Sequence, residues 1–319
     1  MVRTMNVARS RFLASSFALA AAGAARPAGA QTLQNLRVGA TANDTYAQAY
    51  FAQDAGFFTR AGLAVELQTL NNGAAVSAAI AAGALDVGVS TPVQIANAVS
   101  HGVPFAFVAA GALETPKVPV GLVCVAKNAP LRSAKDLEGK AVAVNALKTL
   151  SEVALDLWLA QNGADVAKIH PIETVFSEMG PSLERGSIAA AVISEPALSI
   201  ALATGNIRSL ADPYAAIAPQ FLISGWFATR DFVAKSPELV KKFQTAIAEA
   251  GRWANDHHND SAAILSKYAK MDVAVIRGMG RCPFADQLRA ADIQPQLDVA
   301  AKFGIIPKPM SASELIART

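Results

Sequence analysis

The chain has 319 residues, of which 52% are hydrophobic, 17% charged and 7% aromatic; that profile belongs to a folded, core-rich chain and excludes a disordered or low-complexity scaffold. No internal apolar run reaches the ~20 residues that cross a bilayer as a helix, which excludes a polytopic membrane protein. The formal net charge of +3 is not gathered into a basic face, so nothing points to nucleic acid.

The N-terminus carries Arg3, Arg9 and Arg11, then an apolar run from Phe12 to Ala25, then Ala28-Gly29-Ala30. This is the order of a secretory leader: positive region, apolar region, small-residue cleavage site. Residues 1–30 are therefore expected to be a signal peptide cleaved near Ala30, exported by Sec, with Tat export as the alternative. Removing its four arginines (Arg3, Arg9, Arg11, Arg26) leaves 24 basic against 25 acidic residues, so the apparent basicity belongs to the leader. Two cysteines, Cys124 and Cys282, are too few for a disulfide framework. Cys124 sits in the run GLVCVA and reads as a small buried hydrophobe, a single bridge to Cys282 being the other reading.

Beyond the leader the periodicity alternates. Leu36 to Ala40 reads as a strand, Thr41 to Thr45 as a polar loop, and YAQAYFAQDAGFF as a helix. AVELQTL, Asn71-Asn72-Gly73, a helix over AAVSAAIAAG and a strand over ALDVGV then lead to Ser90-Thr91-Pro92. About a hundred residues later the grammar repeats: strand Ala141 to Val144, loop Asn145 to Ser151, helix EVALDLWLAQNGA, strand KIHPIETV, loop Phe176 to Pro181, helix SLERG and strand SIAAAVI, ending at Ser194-Glu195-Pro196. Each half is a βαβαβ-like run, which predicts a mostly parallel sheet with helices on both faces. An α/β protein of two lobes is expected, rather than a barrel of eight βα units. The expected organisation is a first lobe over 31–117, a second over 118–220, and a mostly helical return to the first over 221–319. The long helix SPELVKKFQTAIAEAGRWANDHH takes Ser236 as N-cap and Pro237 in its first turn. A helical tail without a sheet of its own should pack back on the first lobe, giving two crossings and hence a hinge.

Catalytic motifs are absent: no G-x-G-x-x-G, P-loop, G-x-S-x-G, H-E-x-x-H or C-x-x-C occurs. The adjacent His257 and His258 would point about 100° apart on a helix, which does not suit one metal. No cofactor is expected.

The candidate site rests on position. In open α/β sheets ligands bind at the carboxyl ends of strands, where loops feed helix N-termini whose free N–H groups and dipole favour an anion. In the first lobe those loops hold Asn43, Asp44 and Tyr46, then Asn72, Gly73 and Ala74, then Ser90 and Thr91. In the second they hold Lys148, Thr149 and Ser151, then Ser177 to Gly180, then Ser194 and Glu195. Each residue has a plainer reading beside the functional one. Gly73 lets backbone approach a ligand, or simply makes a turn. Ser90 and Thr91 offer hydroxyls to a ligand, or cap the next helix. Lys148 neutralises an acidic group, or is a solvated lysine; Glu195 meets an ammonium or braces the hinge. Trp226 stacks on a ligand or plugs the core.

Several segments carry a resemblance: DAGFFTRAGL (54–63), the stretch NGAAVSAAIAAGALDVG (72–88), SAKDLEGKAVAV (133–144) and SEPALSIALATG (194–205), in that order behind an export leader. Together they resemble the periplasmic solute-binding proteins of ABC importers in the nitrate/sulfonate/taurine and thiamine-pyrimidine-precursor group. The resemblance implies a type II periplasmic binding fold, a cleft that closes on a small, anionic organic solute, and delivery to a membrane permease with a cytoplasmic ATPase. A soluble, monomeric periplasmic protein is expected, and the export leader with the lack of a clustered His/Cys centre stands against an enzyme. The alternative is an enzyme on the same fold, a pyrimidine-precursor synthase or a dehydratase.

Overall fold

The computed structural model describes residues 33–318; the leader expected over 1–30 lies outside the described residues. Lobe I opens with β1 (Gln34–Ala40), whose Leu36, Val38 and Ala40 alternate into the core, as period-2 spacing requires. There follow α1 (Gln48–Asp54), α2 (Phe57–Arg60), β2 (Leu63–Thr69), α3 (Gly73–Ala81), β3 (Val87–Ser90), α4 (Pro92–Ser100) and β4 (Phe105–Ala110). A short β5 (Leu113–Glu114) begins the first crossing. Lobe II is β6 (Gly121–Ala126), β7 (Ala141–Val144), α5 (Leu150–Gln161), β8 (His170–Glu173), α6 (Phe176–Glu184), β9 (Ala190–Ser194), α7 (Ala197–Ala203) and β10 (Ile207–Ala211). The return runs through β11 (Phe221–Leu222), β12 (Gly225–Thr229), α8 (Arg230–Lys235), α9 (Pro237–Asp256), α10 (His258–Ala269), α11 (Val273–Gly278) and α12 (Ala290–Lys302).

Two five-stranded sheets result, in the orders β2-β1-β3-β12-β4 and β10-β6-β9-β7-β8, with β5 and β11 paired between them. The sheets are mixed, which corrects the mostly parallel expectation. The βαβ units do pair in parallel, β1 with β2 and β3, and β7 with β8 and β9. However, β12 inserts antiparallel between β3 and β4, while β6 inserts antiparallel between β10 and β9 in lobe II. The reason is connectivity: a strand returning from the other lobe meets the sheet from the opposite end, and antiparallel pairing needs no crossover helix.

Helix α9 packs on lobe I through Val240, Phe243, Ile247, Ala250 and Ala254, the one-face spacing of an amphipathic helix. Phe243 meets Trp226 edge-on, with ring centroids 5.4 Å apart. The tail departs from expectation in one respect, because α12 packs on α5 of lobe II as well as on α4 of lobe I. The segment expected to be a loop over 176–181 is the first two turns of α6, which tolerates Pro181 inside it. Both cysteines are free and buried, Cys124 in β6 and Cys282 after α11.

Candidate functional site

The carboxyl ends of β1, β3, β7 and β9 lead into one cavity, lined by Asn43, Thr45, Tyr46 and Thr91 from lobe I and Asn145, Thr149, Leu150, Ser151, Phe176 and Ser194 from lobe II. Val120, Tyr214 and Ile223 close it from the crossings. Its volume is about 30 Å³, an order of magnitude below the ~300–1,000 Å³ of a typical ligand pocket. The lobes lie close together over this lining, which leaves no room for a molecule of several heavy atoms.

Local chemistry positions each polar group. Asn43 has extended backbone, and its Oδ1 accepts from the Tyr46 N–H at 3.1 Å, starting a short 3₁₀ turn. Thr91 caps α4, its hydroxyl oxygen accepting from the Gln94 N–H at 3.3 Å, with Pro92 at the first helical position where no N–H is needed. Helix α5 is built differently. Its N-cap Thr149 makes no capping bond; Thr149 Oγ1 donates to the Ala146 carbonyl at 2.8 Å and lies 3.0 Å from Ser151 Oγ. Ser151 Oγ donates to Asn145 Oδ1 at 2.7 Å. A 12-residue helix thus opens into the cavity with its first-turn N–H groups lacking a side-chain cap, and the dipole there favours negative charge. Ser194 is buried, and burial pushes up the pKa of the Tyr214 hydroxyl on the same lining, which stays neutral. Tyr46 is held neutral by burial in the same way.

The carboxylates near the cavity are engaged elsewhere. Asp44 is wholly buried, paired with the Arg281 guanidinium, and accepts from the Cys282 N–H at 2.7 Å. Glu195 accepts from the Ser199 N–H at 3.0 Å and from its hydroxyl at 2.8 Å, turned onto the first turn of α7. Burial is the main cause raising its pKa. Among the described residues the cavity wall consists of hydroxyls, amides and apolar side chains, none with a formal charge.

Of the residues expected at the site, the structure brings Asn43, Tyr46, Thr91, Thr149, Ser151 and Ser194 to one lining. It places the others off that lining. Asn72 caps α3 through the Ala75 N–H, and Ala74 lies in the same turn. A Cβ on Gly73 would sit 2.5 Å from Ser90 Oγ, so this glycine lets α3 approach the end of β3. Ser90 is buried, its Oγ without a hydrogen-bond partner among the described residues. Lys148 is exposed with φ 55. Trp226 is fully buried within lobe I, donating from Nε1 to Gln48 Oε1 at 2.8 Å; it plugs the lobe core because β12 places it against α9. Thr45, Asn145, Phe176 and Tyr214 were not singled out from the sequence. Thr45 and Asn145 lie in loops that periodicity had marked, whereas no local pattern announces Tyr214, which reaches the cavity only through the path of the crossing.

Known proteins share this architecture. The putative aliphatic sulfonates-binding protein of Escherichia coli (strain K12) is 24% identical over 200 residues, which cover 62% of this chain and 60% of that protein, so the match spans less than two thirds of the relative's length. Among solved structures, the alkanesulfonate-binding protein SsuA from Xanthomonas axonopodis pv. citri bound to MOPS superposes with a TM-score of 0.75 at 18% identity, covering 89% of this chain and 98% of that one. The periplasmic nitrate-binding protein NrtA from Synechocystis PCC 6803 gives a TM-score of 0.72 at 14% identity, over 88% and 84% of the two chains. Two mixed α/β sheets joined by paired crossings are thus the fold of periplasmic binding proteins. The NMT1/THI5-like family model matches residues 43–261, more than half of the chain and nearly all of both sheets, and the chain belongs to that family.

Proposed function

We propose that this protein is the extracytoplasmic solute-binding component of an ABC importer, and that its solute is a small organic monoanion of the sulfonate or carboxylate class. The observation that carries the reading is the uncapped N-terminus of α5, opening between the lobes onto neutral hydroxyl and amide donors while Asp44 and Glu195 are held by other partners. An acidic group there would gain charge-assisted hydrogen bonds of about 1.5–3 kcal/mol each and the helix dipole besides. Micromolar affinity corresponds to roughly −8 kcal/mol, which two or three such bonds and one buried apolar body supply after ordering costs. A lining of neutral donors suits holding a solute rather than turning it over. The name of the Escherichia coli relative supports the sulfonate class. On this reading residues 1–30 direct export and are removed, and the soluble, monomeric protein hands its solute to a membrane permease driven by a cytoplasmic ATPase.

A thermal-shift screen of the chain from Gln31 tests it, using alkanesulfonates, aliphatic and aromatic carboxylates, nitrate and pyrimidines. Ligand at a hundred times its Kd adds about 2.7 kcal/mol of stability, a rise of several degrees for a chain of this size. A saturable rise with an organic monoanion is the expected result; a rise with neutral pyrimidines alone would refute the anion assignment.

A further inference from the structure

Phe176 lines the cleft cavity and also a second cavity of about 210 Å³ in the trough between α6 and α7. It stands at the first position of α6, half-buried, packed against the smaller core of lobe II. The trough exists because its floor is made of small residues: a Cβ on Gly180 would lie 3.2 Å from Ala201 Cβ. Ile200 lines it and is 40% exposed, so one wall is an apolar side chain with incomplete cover. Met271 of lobe I lines it from across the lobe boundary, held by a corner in which Lys270 has φ 55 and Ser266 Oγ donates to the Met271 carbonyl at 2.6 Å. Among the described residues the only formal charge in the lining is Glu184, at the far end of α6 from the cleft.

We propose that this trough is the tail compartment of the binding site: it takes the apolar chain of a monoanion whose acidic group sits at the N-terminus of α5, with the Phe176 ring as a swinging partition between the two. The proposal rests on the solute-binding reading above and narrows it to amphiphilic monoanions. A methylene leaving water for an apolar wall contributes about 0.8 kcal/mol, and this trough offers that wall directly beside the polar cavity. Glu184 makes the far end repel a second negative charge, so the same geometry discriminates against α,ω-dianions. Because Met271 comes from the other lobe, a tail in the trough is touched by both lobes and favours their closure.

The test is calorimetric titration of the purified protein with methane-, propane- and hexanesulfonate, linear carboxylates of matched length, and 1,6-hexanedisulfonate. It is repeated on the Ile200→Glu and Phe176→Ala variants, with thermal melts verifying that each is folded. The expected result is affinity rising by up to about fourfold per added methylene, with the disulfonate weaker than hexanesulfonate. Ile200→Glu should flatten the rise, and Phe176→Ala, which joins the two cavities, should keep or steepen it. Binding of short and long chains with equal affinity, or an unchanged rise in Ile200→Glu, would overturn the tail compartment and leave the anion site standing. Failure of every chain length in both series would overturn the anion site and the compartment with it.

Discussion

Single side chains decide which groups near the cleft are free to meet a solute. Asp44 lies at the mouth of the cleft in sequence, yet it is buried against Arg281, whose side chain is 7% exposed. Asp44→Asn leaves that guanidinium buried without its counter-ion, a change that costs about 3–5 kcal/mol. Urea denaturation should register it, whereas breaking the exposed Lys235–Asp231 pair should cost no more than about 1 kcal/mol. Glu114, in the crossing strand β5, accepts from the Val120 N–H at 3.1 Å, and burial pushes its pKa from 4.5 to about 8, with Asp212 adding to the rise. The folded state thus holds this proton more tightly than the unfolded chain does. Its contribution to stability is fully present below pH 4.5 and is lost as pH rises through about 8. Thermal melts across that range should show stability falling in the wild type, with the Glu114 component of the slope gone in Glu114→Gln.

At the level of elements, the site is made by where helices begin. Helix α3 is seated against the end of β3 through Gly73, and a methyl group there would lie 2.5 Å from Ser90 Oγ and 3.2 Å from its Cα. Gly73→Ala should therefore destabilise by about 1–3 kcal/mol through overpacking, a loss measurable in denaturant titration. That close approach could not be read from the chain, because it depends on the distance between two elements. The strand-loop-helix order of both halves was legible, since alternation of small apolar runs with Asn, Ser and Thr clusters is a local signal. The antiparallel insertion of β12 was not, because period-2 alternation is silent on direction. Nor was the start of α6: Ser177, Gly180 and Pro181 read as a loop, and burial of Met179 and Leu183 on one face overrides their propensity. Six of the fourteen candidate site residues, Asn43 to Ser194, reach one lining because they follow strands; Trp226 does not, being carried into the lobe by β12.

For the molecule as a whole, the crossings are braced against one another and against lobe I. β5 pairs with β11, and Ser224 Oγ donates to the Thr45 carbonyl at 2.7 Å while accepting from the Ala112 N–H at 2.9 Å. On the proposed function, the cavity of about 30 Å³ between the lobes admits solute through a more open arrangement, and contacts to both lobes then shift the population toward closure. Small-angle scattering should show a smaller radius of gyration at saturation than without solute; an identical profile would argue against hinge closure. Calorimetric titration of propanesulfonate into the wild type and Ser151→Ala decides whether an acidic group is held at the N-terminus of α5. The expected result is saturable one-to-one binding, weakened about 10-fold by loss of the hydroxyl that orients the Asn145 amide. Equal affinity in the two proteins would contradict it.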